Sequence, residues 1–369
     1  MKLDSYMPVE IISGRNCLKE NYSSVARLGK SCLIITGGSS AVKSGALADA
    51  EAVLKGLNIE YKIFNSVTQN PYTQDCFDAG KAAAEMNADF IIGIGGGSPL
   101  DASKAAAIYA SNPKMKPLEI YTRTDTNAPL PLVLVGTTAG TGSEVTGVAV
   151  LTDSENGMKR SISGKDCYAK IAFCDYGYTM SVPYDFTVST ALDALAHTVE
   201  SYFSKVSNSM SELYAEKALP LLWENLKKLD KNKNTPDETM REELYIGSIY
   251  AGLALNITGT CFPHTMGYVL TEDFNIPHGK ACTAFMTDYL NIAVRQLPEK
   301  AERLFSVAGT DFSEFTATVD RLTDVRISMT EEQIEQYGER WAAPVKNFNR
   351  TPGNFTKDTA VKILEKYLK

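Results

Sequence analysis

The sequence predicts two regions of different class: an α/β region over residues 1–183, built on a mostly parallel sheet, and an all-helical region over residues 184–369. Three observations carry this expectation. In the first half, short β-branched runs alternate with stretches of helical spacing, the signature of βαβ units. After Pro183 the β-branched runs largely stop and long segments of helical period take over. At 369 residues, with 44% hydrophobic and 22% charged residues, the chain has material for two cores and the balance of an ordered globular protein.

Taken in order, Cys32-Leu-Ile-Ile-Thr36 reads as the first strand, followed by the turn Gly37-Gly-Ser-Ser40 and a helix over residues 46–55. Residues 61–64, 90–94, 132–135 and 171–174 read as further strands, most bounded by Gly, Asn or Asp, which interrupt regular structure. In the second half, residues 210–226 carry helical spacing, and Asp230–Asp237 reads as a polar connection with solvated charges. Tyr245–Leu255 is apolar with small residues interleaved, which suits a buried central helix. No internal repeat is evident.

A net charge of -7 without a basic cluster argues against nucleic acid or an anionic membrane as partner and for a small molecule. The apolar runs at 90–94 and 130–135 are far shorter than the ~20 residues that span a bilayer. Met1–Pro8 lacks the apolar stretch of a secretory leader, so a cytoplasmic location is expected. The seven cysteines are odd in number and never in Cys-x-x-Cys spacing, which reads as reduced core residues. Cys261 and Cys282 flank the histidines discussed next.

The chain has three histidines, His197, His264 and His278. Asp193 and His197 lie four apart, so on a helix both project from one face. Their neighbours Ala191, Leu192, Ala194, Leu195 and Ala196 are apolar, and an apolar helix buries a charge only when something pairs with it. One carboxylate and three imidazoles satisfy a tetrahedral or octahedral Fe²⁺ or Zn²⁺ centre, leaving the ion acidic enough to polarise a substrate oxygen.

Two glycine loops follow strands. Gly95-Gly-Gly-Ser-Pro-Leu-Asp-Ala-Ser-Lys104 opens a helix, presenting backbone N–H groups and a helix N-terminus to a diphosphate. Val135-Gly-Thr-Thr-Ala-Gly-Thr-Gly-Ser-Glu144 offers hydroxyls and backbone donors in the same pattern. On neighbouring parallel strands the two would converge where dinucleotides bind.

Together with Asn70-Pro71, these motifs resemble the iron-containing alcohol dehydrogenase family, in particular its NADPH-dependent butanol dehydrogenase and aldehyde reductase branch. The resemblance covers nearly the whole chain. It implies an N-terminal Rossmann-like dinucleotide domain and a C-terminal helical domain on the dehydroquinate synthase-like plan, with a metal in the cleft between them. It implies metal ligation by Asp193, His197, His264 and His278. To the cofactor it assigns Asn70, Gly95, Gly96, Gly97, Ser98, Asp101, Thr137, Thr138, Thr141, Lys159, Thr179 and Val182. Asp101 would border the nicotinamide, and Lys104 is either a cofactor neighbour or structural.

Gly37 stands where relatives restricted to NAD often carry an Asp that repels a 2′-phosphate. With Gly38, Ser39 and Ser40 beside it and Lys43 nearby, NADPH is expected over NADH. Many relatives carry a further histidine where this chain has Tyr268. A phenol, with an ordinary pKa of ~10, is the poorer proton shuttle. Tyr268 therefore either shapes the substrate pocket or relays protons in a perturbed state, the alternative being a water chain through the cofactor ribose. Phe186, Phe262, Tyr268 and Phe274 offer an apolar wall or helical core.

The implied reaction is reversible hydride transfer between NAD(P)H and a small aldehyde, ketone or alcohol, by a homo-oligomer, usually a dimer in the relatives. A dehydroquinate synthase or glycerol 1-phosphate dehydrogenase relative would need more Lys and Arg near Pro263–Leu270 than the sequence provides. A non-catalytic nucleotide-binding or assembly protein is a third class, because fold does not fix function.

Overall fold

The computed structural model describes residues 3–122 and 127–368. Met1 and Lys2 of the N-terminal stretch lie outside the described residues. The chain divides into an α/β unit, Tyr6–Val182 with Pro236–Tyr245, and a helical unit comprising residues 3–5, Pro183–Thr235 and residues 246–368.

The α/β unit holds a six-stranded sheet of β1 (Glu10–Ser13), β2 (Ser31–Gly37), β3 (Glu60–Val67), β4 (Phe90–Gly95), β5 (Leu132–Gly136) and β8 (Ile171–Cys174). Their order is β1-β8-β5-β4-β2-β3, and every pairing is parallel. Alternate residues Cys32, Ile34, Ile92, Ile94, Val133, Val135, Ile171 and Phe173 enter one buried cluster with Val53 and Leu54, as the two-residue period of a strand requires. On β4, Gly93 leaves room for Ser103 of the helix Gly97–Ser111, because a Cβ there would lie 2.4 Å from the Ser103 hydroxyl oxygen.

The five strands expected from sequence are all present, each within a residue or a few of its expected ends. Three others were not visible in the pattern. β1 is a four-residue edge strand, and β6 (Val148–Thr152) pairs with β7 (Lys159–Ser163) as an antiparallel hairpin outside the main sheet. β7 reads Lys-Arg-Ser-Ile-Ser with one buried side chain, so hydrophobic periodicity could not find it.

The helical unit is built around the helix Tyr184–Phe203, buried along most of its length from Thr187 onward. The expected helix at 210–226 runs over Ser209–Asn232, three residues into the polar stretch read as a connection, and ends at Lys233 in the left-handed conformation. Tyr245–Leu255 lies in the helix Glu238–Thr258 and is mostly buried, as expected. Among the described residues no helix is long and apolar enough to cross a membrane.

Candidate active site

In the helical unit three helices bring four sequence-distant groups together. Asp193 and His197 project from the same side of Tyr184–Phe203, His264 from the first turn of Phe262–Phe274, and His278 from the start of His278–Thr283. Pro263 in the first turn and Asn275 in the left-handed C-cap position fix where the second helix starts and stops, and Pro277 sets the entry to the third. Two glycines allow the approach. A Cβ on Gly279 would lie 1.8 Å from the Ser189 carbonyl oxygen, and one on Gly267 would lie 2.9 Å from the Cys282 nitrogen.

The Nε2 atoms of His264, His197 and His278 lie 3.4, 3.7 and 3.8 Å from Asp193 Oδ1. An ion about 2.1 Å from each donor separates tetrahedral donors by about 3.4 Å, so these spacings fit a shared divalent ion. Asp193 Oδ1 and His264 Nε2 are buried without a hydrogen-bond partner among the described residues, an arrangement that costs free energy unless something binds there. Burial pushes the Asp193 carboxyl up, but the three histidines more than offset it and hold it well below the usual carboxylate range. His197 and His264 stack, ring centroids 4.6 Å apart.

Sequence reasoning missed Glu200. Its side chain is fully buried one turn beyond His197; Oε1 lies 2.5 Å from His264 Nδ1 and Oε2 accepts from the Cys261 N–H at 2.6 Å. A carboxylate behind Nδ1 favours the tautomer that leaves Nε2 free to act as a donor toward an ion shared with Asp193. In the sequence Cys282 stands only as a near neighbour of His278. The donor atoms of Asp193, His264, His278 and Cys282 all lie within 4.8 Å of one another, while His197 stands beside this set. Tyr268 stacks on His278, centroids 5.7 Å apart and planes 14° apart. Phe262 is a core residue stacked on Phe355, and Phe186 is exposed.

In the α/β unit the two glycine loops meet. Gly95 and Gly136 are register partners at the ends of β4 and β5. Beyond them, a Cβ on Gly96 would lie 3.2 Å from Thr138 Oγ1, and one on Gly97 2.8 Å from Thr141 Cγ2. Gly95 has φ +152 and a Cβ there would strike the Pro99 ring at 2.6 Å, so this turn requires glycine. Ser98 Oγ accepts from the Asn70 N–H at 3.1 Å, and Asn70 has positive φ. Such a cradle of glycines at a helix N-terminus fits a diphosphate.

The remaining expected cofactor residues fall as follows. Gly37 is buried, with Val67 O 2.8 Å from the place of a Cβ, whereas Gly38, Ser39 and Ser40 are exposed. Thr137 is buried behind the loop; Lys159 sits in β7, and Thr179 donates to Tyr176 O. Val182 accepts from Arg241. Asp101 is bound on both oxygens, accepting from Ser143 Oγ at 2.6 Å and from the Val150 N–H at 2.8 Å. Lys104, fully buried, donates to Val148 O at 2.6 Å and lies 3.6 Å from Asp101, which places it in a structural tie.

Residues 8–176 match the family model for iron-containing alcohol dehydrogenase, and residues 187–368 match that for the Fe-containing alcohol dehydrogenase family, C-terminal. The chain is 31% identical over 330 residues to sulfoacetaldehyde reductase of Bilophila wadsworthia, covering 87% of this chain and 82% of that protein. Among solved structures it is similar to an iron-containing alcohol dehydrogenase from Thermotoga maritima, with TM-score 0.91, 32% identity and coverage of 99% of each chain. It is also similar to sulfoacetaldehyde reductase from Bifidobacterium kashiwanohense in complex with NAD+, with TM-score 0.88, 25% identity, and coverage of 100% of this chain and 99% of that one. With both family models matched in order across nearly its whole length, the chain belongs to the iron-containing alcohol dehydrogenase family.

Proposed function

We propose that this protein reduces small aldehydes, with NADPH preferred over NADH and Fe²⁺ or Zn²⁺ held by Asp193, His197, His264 and His278. At family level the chain is an NAD(P)-dependent oxidoreductase of alcohols and aldehydes. The single observation that carries the metal assignment is the meeting of three imidazole Nε2 atoms on one buried carboxylate oxygen. When bound there, a divalent ion supplies Lewis acidity toward the substrate oxygen. Glu200 keeps the proton of His264 on Nδ1 and so keeps its Nε2 available as a donor.

The cofactor's diphosphate is assigned to Gly95, Gly96, Gly97 and Ser98, with Asn70, Thr137, Thr138, Thr141, Lys159, Thr179 and Val182 around it. The exposed hydroxyls of Ser39 and Ser40 are suited to donate to a 2′-phosphate, and no carboxylate stands at 37 or 38 to repel one. Asp101 acts by position rather than by moving protons, since both its oxygens already accept hydrogen bonds. Tyr268 is assigned to the substrate pocket, its ring steadying His278. We take the working form to be a cytoplasmic homodimer. All seven cysteines are buried thiols, and among the described residues no disulfide links them, which supports a reducing compartment.

The test is anaerobic reduction of butyraldehyde with NADPH or NADH, before and after chelation and with Fe²⁺ or Zn²⁺ restored. Chelator-sensitive oxidation of NADPH, rescued by one metal, is the expected result. Bound nucleotide and metal without turnover on any aldehyde or alcohol would instead favour a protein that keeps the site and has lost the reaction.

A further inference from the structure

We propose that Thr152, the last residue of β6, is a positioning residue for the nucleotide: acting through Asn70, it sets the Asn70 side-chain amide and the Ser98 hydroxyl against the cofactor. The inference rests on reading Asn70 and Ser98 as cofactor contacts. Thr152 is buried; its Oγ1 donates to the Asn70 carbonyl at 2.9 Å and its N–H to the Pro71 carbonyl at 2.8 Å. Two residues on, the Ser154 N–H donates to Thr73 Oγ1 at 3.2 Å, and Ser154 Oγ accepts from the Gln74 N–H at 2.9 Å. The end of the β6–β7 hairpin is thereby laced to residues 70–74. At its other end Asn70 donates its N–H to Ser98 Oγ at 3.1 Å. Both backbone groups of Asn70 are therefore engaged, which leaves its side-chain amide to meet a ligand. Ser98 Oγ spends a lone pair on Asn70 and keeps its O–H to donate to a phosphate oxygen.

A threonine at a strand end is ordinarily a residue of the sheet and no more. Here β6 is already seated without the hydroxyl: Lys104 Nζ donates to Val148 O at 2.6 Å and the Val150 N–H donates to Asp101 at 2.8 Å, tying the strand to the helix Gly97–Ser111. The Thr152 hydroxyl goes instead to a residue whose backbone needs holding. Asn70 has φ +56, in the left-handed region that Asn tolerates at a cost, and bonds on both its N–H and its carbonyl fix it there. Across the hairpin, Thr152 is the register partner of Lys159, another residue assigned to the cofactor. One buried side chain thus joins two parts of the assigned nucleotide site that are far apart in the chain. Without its hydroxyl the Asn70 carbonyl loses a partner, the turn is free to leave the left-handed conformation, and the amide and the Ser98 hydroxyl go out of line together.

The test is to titrate the full-length protein with NADPH and, separately, NADH, following nucleotide fluorescence, in the natural protein, Thr152→Val, Thr152→Ser, Asn70→Gly and the double variant Thr152→Val with Asn70→Gly. Val removes the hydroxyl and keeps the shape, Ser keeps the hydroxyl, and Gly at 70 permits the left-handed backbone while removing the amide. Kd should rise about five- to ten-fold in Thr152→Val, the worth of one lost hydrogen bond, and return to within about two-fold of the natural value in Thr152→Ser. In the Asn70→Gly background the Val substitution should add less than about two-fold, because residues that act through one another are not additive. A weakened Asn70→Gly beside an unchanged Thr152→Val, a Thr152→Val loss that Ser does not restore, or one that adds in full to Asn70→Gly overturns the proposal and leaves Asn70 as a cofactor contact. A fall in Tm in Thr152→Val with Kd unchanged also overturns it, marking the residue as structural. An unchanged Kd in Asn70→Gly, or failure of the natural protein to bind either nucleotide, overturns the cofactor reading of Asn70 as well.

Discussion

Nδ1 of His264 lies 2.5 Å from Oε1 of Glu200, with neither side chain meaningfully exposed. A carboxylate placed behind a ligating imidazole sets its tautomer and raises its basicity, so the pair orients a donor as well as filling space. Glu200 also accepts from the Cys261 N–H, anchoring the start of the helix that carries His264.

Replacing Glu200 with Gln keeps the shape and removes the charge. Metal affinity should fall about 10–100-fold with the fold retained. Glu200→Ala should in addition destabilise by about 1–3 kcal/mol, because the Cys261 N–H is left buried without a partner. Chelator competition and denaturant unfolding separate the two effects; unchanged metal affinity in the Gln variant would remove Glu200 from the site.

Gly279→Ala tests the helix contact that seats His278. Its Cβ would lie 1.8 Å from Ser189 O and 2.9 Å from the Asp193 nitrogen, backbone atoms that cannot rotate away. The expected cost is about 3 kcal/mol or more, with loss of metal. Gly309→Ala, whose Cβ meets nothing within 4 Å but whose φ is +63, should cost only the backbone strain and keep the metal. Metal content after purification and denaturant midpoints check both.

How much of this was legible follows from what each signal measures. Cys32–Thr36 and Ile171–Cys174 were readable because central parallel strands are buried on both faces and so run continuously apolar. β7 was not, since its exposed Lys, Arg and Ser leave no apolar stripe. Asp193 stood out as a charge in an apolar helix, and the same argument applied to Glu200 would have found it. Cys282 could not be found so, because its meeting with Asp193 depends on the packing that Gly267 and Gly279 permit.

Gly95→Ala probes the nucleotide loop apart from the metal. The residue combines φ +152 with a Cβ position 2.6 Å from the Pro99 ring, so the turn must open. KM for the nucleotide should rise about ten-fold or more, a cost of about 1.4 kcal/mol, while metal content stays constant. Equal loss of metal and nucleotide binding would instead indicate general unfolding.

Cofactor choice is tested at Gly38 rather than Gly37. An aspartate at 37 would drive its Cβ to 2.8 Å from Val67 O, so the missing carboxylate there has a packing cause as well. Gly38 is open and exposed, and its φ of +36 is near the region Asp tolerates. Gly38→Asp should lower kcat/KM for NADPH about ten-fold through repulsion of the 2′-phosphate and spare NADH. An unchanged ratio would move the 2′-phosphate away from this turn.

Metal removal should destabilise the helical unit specifically. An ion that binds the folded chain alone stabilises it by RT ln(1 + [L]/Kd), about 4 kcal/mol at a thousand-fold excess over Kd. The ligands come from three helices, so losing the ion frees the contact among all of them at once. It also leaves Asp193 Oδ1 buried without a partner. Chelation should therefore lower Tm of the natural protein, and His264→Ala should start from the lower value and show little further response to chelator. A Tm indifferent to chelation in a protein proven to carry one equivalent of metal would mean that the helices hold the donors in place unaided.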